Sequence, residues 1–195
     1  YTTLFRSFIV NPAQAPKKKL SLFGGGSLLT KVALIGGALV LIMIVGVTVK
    51  SLTAKPSGTA YFVAIAQDQQ AIIHVSGATA TQQNISTKTL NSAVTVNSSI
   101  KSAQSNLLAY IALSKSKPSP AQLNAKVSKT TDTQLTNAVG AGTYDSTYAS
   151  VMNTLLETYS KDLKIAFSHT TGPKGKALLT SEYNDAQLLI KQLAN

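Results

Sequence analysis

Residues 143–166 read TYDSTYASVMNTLLETYSKDLKIA, and the apolar positions in this stretch decide the fold. Tyr144, Tyr148, Val151, Leu155, Tyr159, Leu163 and Ala166 recur every three or four residues, with Ser, Thr, Asn, Lys and acids between them. That spacing puts the apolar side chains on one face of an α-helix, whereas a half-buried strand would alternate at every second position. Gly140-Ala141-Gly142 before the stretch and Gly172-Pro173 after it mark its limits, because neither residue type continues a helix cheaply.

Outward in both directions the same period recurs. Phe62, Ile65, Ala66, Ile72, Ile73 and Val75 form one stripe, and Leu90, Ala93, Val94, Ile100, Leu107, Leu108 and Ile111 a second. Leu178, Leu179, Tyr183, Ala186, Leu189, Ile190 and Leu193 form the last. Lys115 to Pro120 interrupts the pattern, and Ser119-Pro120 reads as a helix start, since the serine oxygen caps a free N–H and proline suits the first turn. A shorter helix is predicted over 120–138. Four long helices and one short connector, without strand alternation, predict an all-α fold: an antiparallel four-helix bundle with a short connecting helix over 59–195. The polar faces use Ser, Thr, Asn and Gln more than Glu and Lys, so packed stripes rather than i,i+4 ion pairs must supply stability. The tyrosines of the central stripe are read as packing residues.

Toward the N-terminus, Val32 to Val49 reads VALIGGALVLIMIVGVTV without a charge, between Lys31 and Lys50. As a helix it spans about 27 Å, close to the thickness of a bilayer core, and predicts a single transmembrane anchor over 32–49. Val32, Leu34, Ile35, Leu39, Leu41, Ile42, Ile44 and Val45 are read as its membrane-anchoring residues. A cleaved signal peptide competes with this reading, but the run exceeds a usual signal core and no convincing A-x-A site follows. Lys17, Lys18, Lys19 and Lys31 outnumber Lys50 and Lys55, which keeps the N-terminus cytoplasmic, draws anionic lipid, and places the bundle outside. Residues 1–31, with Asn11-Pro12, Pro16 and Gly24-Gly25-Gly26, read as a disordered cytoplasmic tail, and 50–58 as a linker. Within the tail, Tyr1 to Ser7 looks like a translated sequencing adapter. Ala33 and Gly37 make a small-xxx-small pair suited to self-association.

The formal net charge of +11 points first to nucleic acid, but its distribution argues against that. Seven of the 18 Lys and Arg and none of the seven acids lie in the first 55 residues, around the apolar run. Beyond them there is no arginine and no tryptophan, so base-reading forks and large stacking platforms are lacking. The absence of cysteine excludes disulfides, thiolate metal sites and a cysteine nucleophile.

The order of a helix opening Tyr61-Phe62-Val63-Ala64-Ile65-Ala66, a long second helix, a proline-containing connector, a helix opening Thr143-Tyr144-Asp145-Ser146-Thr147-Tyr148 and a last helix ending Leu188-Leu189-Ile190-Lys191-Gln192-Leu193 resembles an uncharacterised ferritin-like bundle family of exported bacterial proteins. The resemblance covers residues 60–194. It implies histidines and acids on the second and later helices, and here the second helix has neither. A ferritin-like metal site also needs Glu-x-x-His pairs, yet Glu157 is followed at +3 by Ser160 and Glu182 by Asp185. No Gly-x-Ser-x-Gly turn accompanies His74 or His169, and Gly24 to Gly26 lacks the Lys-Ser/Thr of a P-loop. The expectation is therefore a membrane-anchored extracytoplasmic interaction or structural module of the cell envelope, without catalysis or cofactor. Its partners are the lipid bilayer and an envelope protein or a second copy, and not nucleic acid. Two alternatives stand beside it. One is a ferritin-like metal or redox bundle using Asp68, His74, Glu157, His169 or Asp185, and the other is a sensor ectodomain.

Overall fold

The structure, a computed structural model, describes residues 58–194. The transmembrane anchor over 32–49, the lysines at 17–19 and 31, the tail and the linker up to residue 57 lie outside the described residues, while Gly58, the last residue of the predicted linker, already opens the first helix. Among the described residues no helix is long and apolar enough to cross a membrane.

All regular structure among the described residues is helical. Helix α1 spans Gly58–Ala80, α2 Thr87–Ala112, α3 Pro120–Leu123 with a 3-10 turn at Asn124–Lys126, α4 Lys129–Gly140, α5 Tyr144–His169 and α6 Pro173–Ala194. The start signals act as the sequence implies. Ser86 caps α2 by accepting from the Thr89 N–H at 3.1 Å. Ser119 forms a reciprocal box, its Oγ accepting from Gln122 N–H at 3.2 Å while its own N–H donates to Gln122 Oε1 at 2.8 Å.

Cross-helix contacts fix the directions. Tyr61, Gln69 and Thr79 of α1 meet His169, Tyr159 and Tyr144 of α5 in that order, so the two run antiparallel. Gln104 and Asn97 of α2 reach the Ala66 and Ile73 carbonyls of α1, again in reversed order. α6 returns along α5 after a short link, and its Gly175 lies against Tyr110 near the end of α2. A Cβ at Gly175 would stand 2.6 Å from the Tyr110 hydroxyl, so this close approach requires glycine. The four long helices thus follow one another around the bundle as α1, α2, α6 and α5, each antiparallel to its neighbours. Because α2 and α5 point the same way, the segment between them, carrying α3 and α4, must run back along the bundle's length.

Three expectations change. The single helix over 120–138 is instead α3, the 3-10 turn and α4, because Val127 is extended and Ser128 starts a new helix by accepting from Thr131 N–H at 3.3 Å. Leu156, not Leu155, is fully buried on α5. On α2, Leu90 and Val94 remain 37% and 48% exposed while Val96 enters the core, since α2 is covered on the side facing α1 and α6 only. The core itself is built from Ile65, Ile72, Ile100, Leu107, Met152, Leu156, Tyr159, Leu163 and Leu179.

Candidate functional site

Two features stand apart from ordinary packing. The first is a buried polar centre. Helix α1 turns Asp68 and Gln69 inward on the stripe of Ile65 and Ile72, and α6 turns Glu182 inward between Leu179 and Ala186. Gln69 Nε2 donates to the Tyr159 hydroxyl at 2.9 Å and to Glu182 Oε2 at 3.1 Å, and Tyr159 donates its own proton to Glu182 Oε2 at 3.0 Å. Glu182 Oε1 and Gln69 Oε1 are buried without a partner. Burial pushes the Glu182 carboxyl up to about 7, against the pull of the bonds from Tyr159 and Gln69, and holds the Tyr159 phenol well above its ordinary value.

Beside it, Lys126 of the 3-10 turn reaches in and places its Nζ 2.6 Å from Asp68 Oδ1 and 3.0 Å from Asp162 Oδ2. Burial lifts Asp68 to about 7, moderated by the Lys126 ammonium and reinforced by Asp162. For Lys126 burial opposes the charge, but the two carboxylates outweigh it and raise its pKa.

The residues named for a metal or redox centre are not brought together. Asp68 is bound to Lys126. His74 Nε2 lies 2.8 Å from Asp132 Oδ1 at the surface, His169 stacks on Tyr61 with ring centroids 4.5 Å apart, and Glu157 accepts from Asn153 at 2.7 Å on the exposed side of α5. Asp185 acts only at a distance, raising the Glu182 pKa. Among the described residues no three His, Cys, Asp or Glu side chains form a metal-holding group. The residues that do converge, Gln69, Tyr159, Glu182, Lys126 and Asp162, carry one legible signal: Gln69 and Glu182 fall on the three-four spacing of their own apolar stripes.

The second feature is a groove of about 480 Å³ between the first half of α2, the start of α5 and the end of α6. Asn91, Ser92 and Thr95 of α2 and Leu189 and Leu193 of α6 are among its lining residues. Its floor is Tyr148, 1% exposed, whose hydroxyl makes no hydrogen bond within 3.5 Å, although Ser92 lies close enough to pull its pKa down against the larger effect of burial. Burial raises the phenol's pKa, so it is a neutral donor and acceptor at any physiological pH. At the rim, Ser86 N–H donates to Asp145 Oδ1 at 3.1 Å, which places a carboxylate at the N-terminus of α2. A smaller recess of about 210 Å³ lies at the other end, lined by Phe62, Tyr110, His169 and Gly172. No family model matches the chain, and no curated protein or solved structure is significantly similar to it.

Proposed function

We propose that the protein is a membrane-anchored, extracytoplasmic binding module of the cell envelope that performs no catalysis. The observation that carries this is the groove's position and chemistry. The chain enters the bundle at Gly58, while the groove lies at the far end of α1, about 35 Å away for a helix of 23 residues. Three packed helices, α2, α5 and α6, form its walls, and the phenol at the floor makes no hydrogen bond within 3.5 Å, which leaves one for a ligand to make. The apolar run 32–49 with its basic N-terminal flank supports the anchor and the orientation.

Because the chain has no cysteine, a single introduced cysteine carries a photo-crosslinker without background. Asn91→Cys or Gln192→Cys at the groove should capture an envelope component in membranes, and Lys161→Cys on another face should not. Equal capture from all three positions, or from none, removes the groove as the binding site.

A second reading, a ferritin-like metal or redox bundle, is favoured by two observations. The single lengthwise crossover between α2 and α5 is the connectivity of ferritin-like bundles, and Glu182 sits at the bundle's centre. Elemental analysis of the purified chain tests it: stoichiometric iron, zinc or copper would establish this reading over the first.

A further inference from the structure

We infer that the groove between α2, α5 and α6 takes an uncharged saccharide unit, an inference that rests on the binding-module reading above. Three features of the lining point to this chemistry. Charge comes first. Lys88 and Asp145 are the only charged residues among those lining the groove, one of each sign, so a bound ion gains no net attraction. The favourable place for an anion, the N-terminus of α2, is already taken by Asp145, whose carboxyl is held below its ordinary value by hydrogen bonds from Thr89 and Ser86. An incoming carboxylate or phosphate would meet that charge.

Hydrogen bonding comes second. Ser92 and Thr95 stand one turn apart on one face of α2, and with the Tyr148 hydroxyl they present three neutral groups, each able both to donate and to accept. Vicinal hydroxyls of a sugar ring need partners of that double capacity, whereas a purely accepting or purely donating ligand would leave half of it unused. Tyr148 is the sharpest element. Its hydroxyl is enclosed and makes no hydrogen bond within 3.5 Å, feeling only a weak pull from Ser92, so a ligand hydroxyl reaching the floor would complete its bonding.

The third feature is the opposite wall. Leu189 and Leu193 of α6 face the polar rung of α2 across the groove, and a pyranose has one face of C–H bonds to lay against them. The volume of about 480 Å³ suits one or two sugar rings.

Saturation-transfer and ¹⁵N-shift measurements on the full chain, in micelles of a sugar-free detergent, test the inference. The probes are N-acetylglucosamine, glucose and maltose, with glucuronate and glucosamine as charged counterparts and an uncharged tetrapeptide as an unrelated neutral ligand. At least one neutral sugar should shift Ser92, Thr95 and Leu193 amides at concentrations up to about 10 mM, and both charged analogues should bind more weakly. Tyr148→Phe should lower the affinity roughly three- to tenfold. Because it removes an unpaired hydroxyl, this variant should fold at least as well as the parent, so lost binding is not lost structure. No neutral sugar perturbing the groove, tighter binding of a charged analogue or of the tetrapeptide, or an affinity untouched in both Tyr148→Phe and Ser92→Ala would each overturn the inference. Crosslinking at Asn91→Cys separates the two ideas. Specific capture of a protein without sugar binding sinks the saccharide and keeps the module, whereas sugar binding by a chain that lacks a membrane anchor sinks the module and keeps the saccharide.

Discussion

Glu182 is where a single side chain carries most consequence. It is 3% exposed, with two donors on Oε2 and nothing on Oε1. Its carboxyl titrates near 7 in the folded chain against an ordinary 4.5, because burial penalises the charge. The folded state therefore holds a proton that the unfolded chain releases between those two values, so stability is full below about pH 4.5 and falls as pH rises toward 7. The loss reaches about 3 kcal/mol for this group, and Asp68, raised from 3.8 to about 7 by burial, acts in the same direction. Glu182→Gln keeps the acceptor for Gln69 and Tyr159 and removes the titration. Denaturant midpoints should show it more stable than the parent at pH 8, by about 1 to 3 kcal/mol, and nearly equal at pH 5. A loss of similar size at both pH values would mean that the ionised carboxylate, not the neutral acid, is the native form.

At the scale of elements, the crossover segment depends on one lysine. Lys126 is the last residue of the 3-10 turn, and its ammonium ties that turn to α1 through Asp68 and to α5 through Asp162. Lys126→Met keeps the aliphatic stem and leaves two carboxylates facing each other. Its side chain is 18% exposed, so the cost at pH 8 is about 2 kcal/mol, below that of breaking a fully buried pair, and it shrinks at pH 5, where Asp68 is already protonated. Hydrogen exchange should quicken through α3 and α4 while α1, α2 and α5 keep their protection. Uniform quickening across all helices would show that Lys126 supports the whole bundle instead. The same segment marks the limit of what the sequence tells. Ser119-Pro120, Gly140 to Gly142 and Gly172-Pro173 act through local backbone chemistry, and all three delimit helices as their residue types imply. The break at Val127 is marked locally only by the Ser128 cap, while the tie of Lys126 to Asp68, 58 positions earlier, leaves no trace in the local sequence. Stripes built from apolar letters alone likewise miss Gln69 and Glu182, polar residues at core register, and choose Leu155 over its buried neighbour Leu156.

For the whole molecule, the question on which the membrane-anchored proposal turns is which side of a bilayer the bundle would face. Residues 58–194 bury their stripes against one another and present Ser, Thr, Asn and Gln outward, leaving only scattered apolar side chains such as Leu113 and Leu188 exposed. A surface of that kind favours water, so under the membrane-anchored reading proposed above any attachment to a bilayer falls to the uncharged run 32–49, whose length in residues matches a bilayer core. Under the same reading the basic residues before that run would set the direction by the positive-inside rule. Lys101→Cys, at an exposed position on α2 in a chain without native cysteine, makes the direction measurable. A membrane-impermeant maleimide should label it in intact right-side-out vesicles and fail to label it in inverted ones until detergent is added. Replacing Lys17, Lys18 and Lys19 with glutamine should weaken that bias, because Lys31 alone then faces Lys50 and Lys55. Labelling in inverted vesicles first would place the groove in the cytoplasm, where the proposed envelope ligand never meets it.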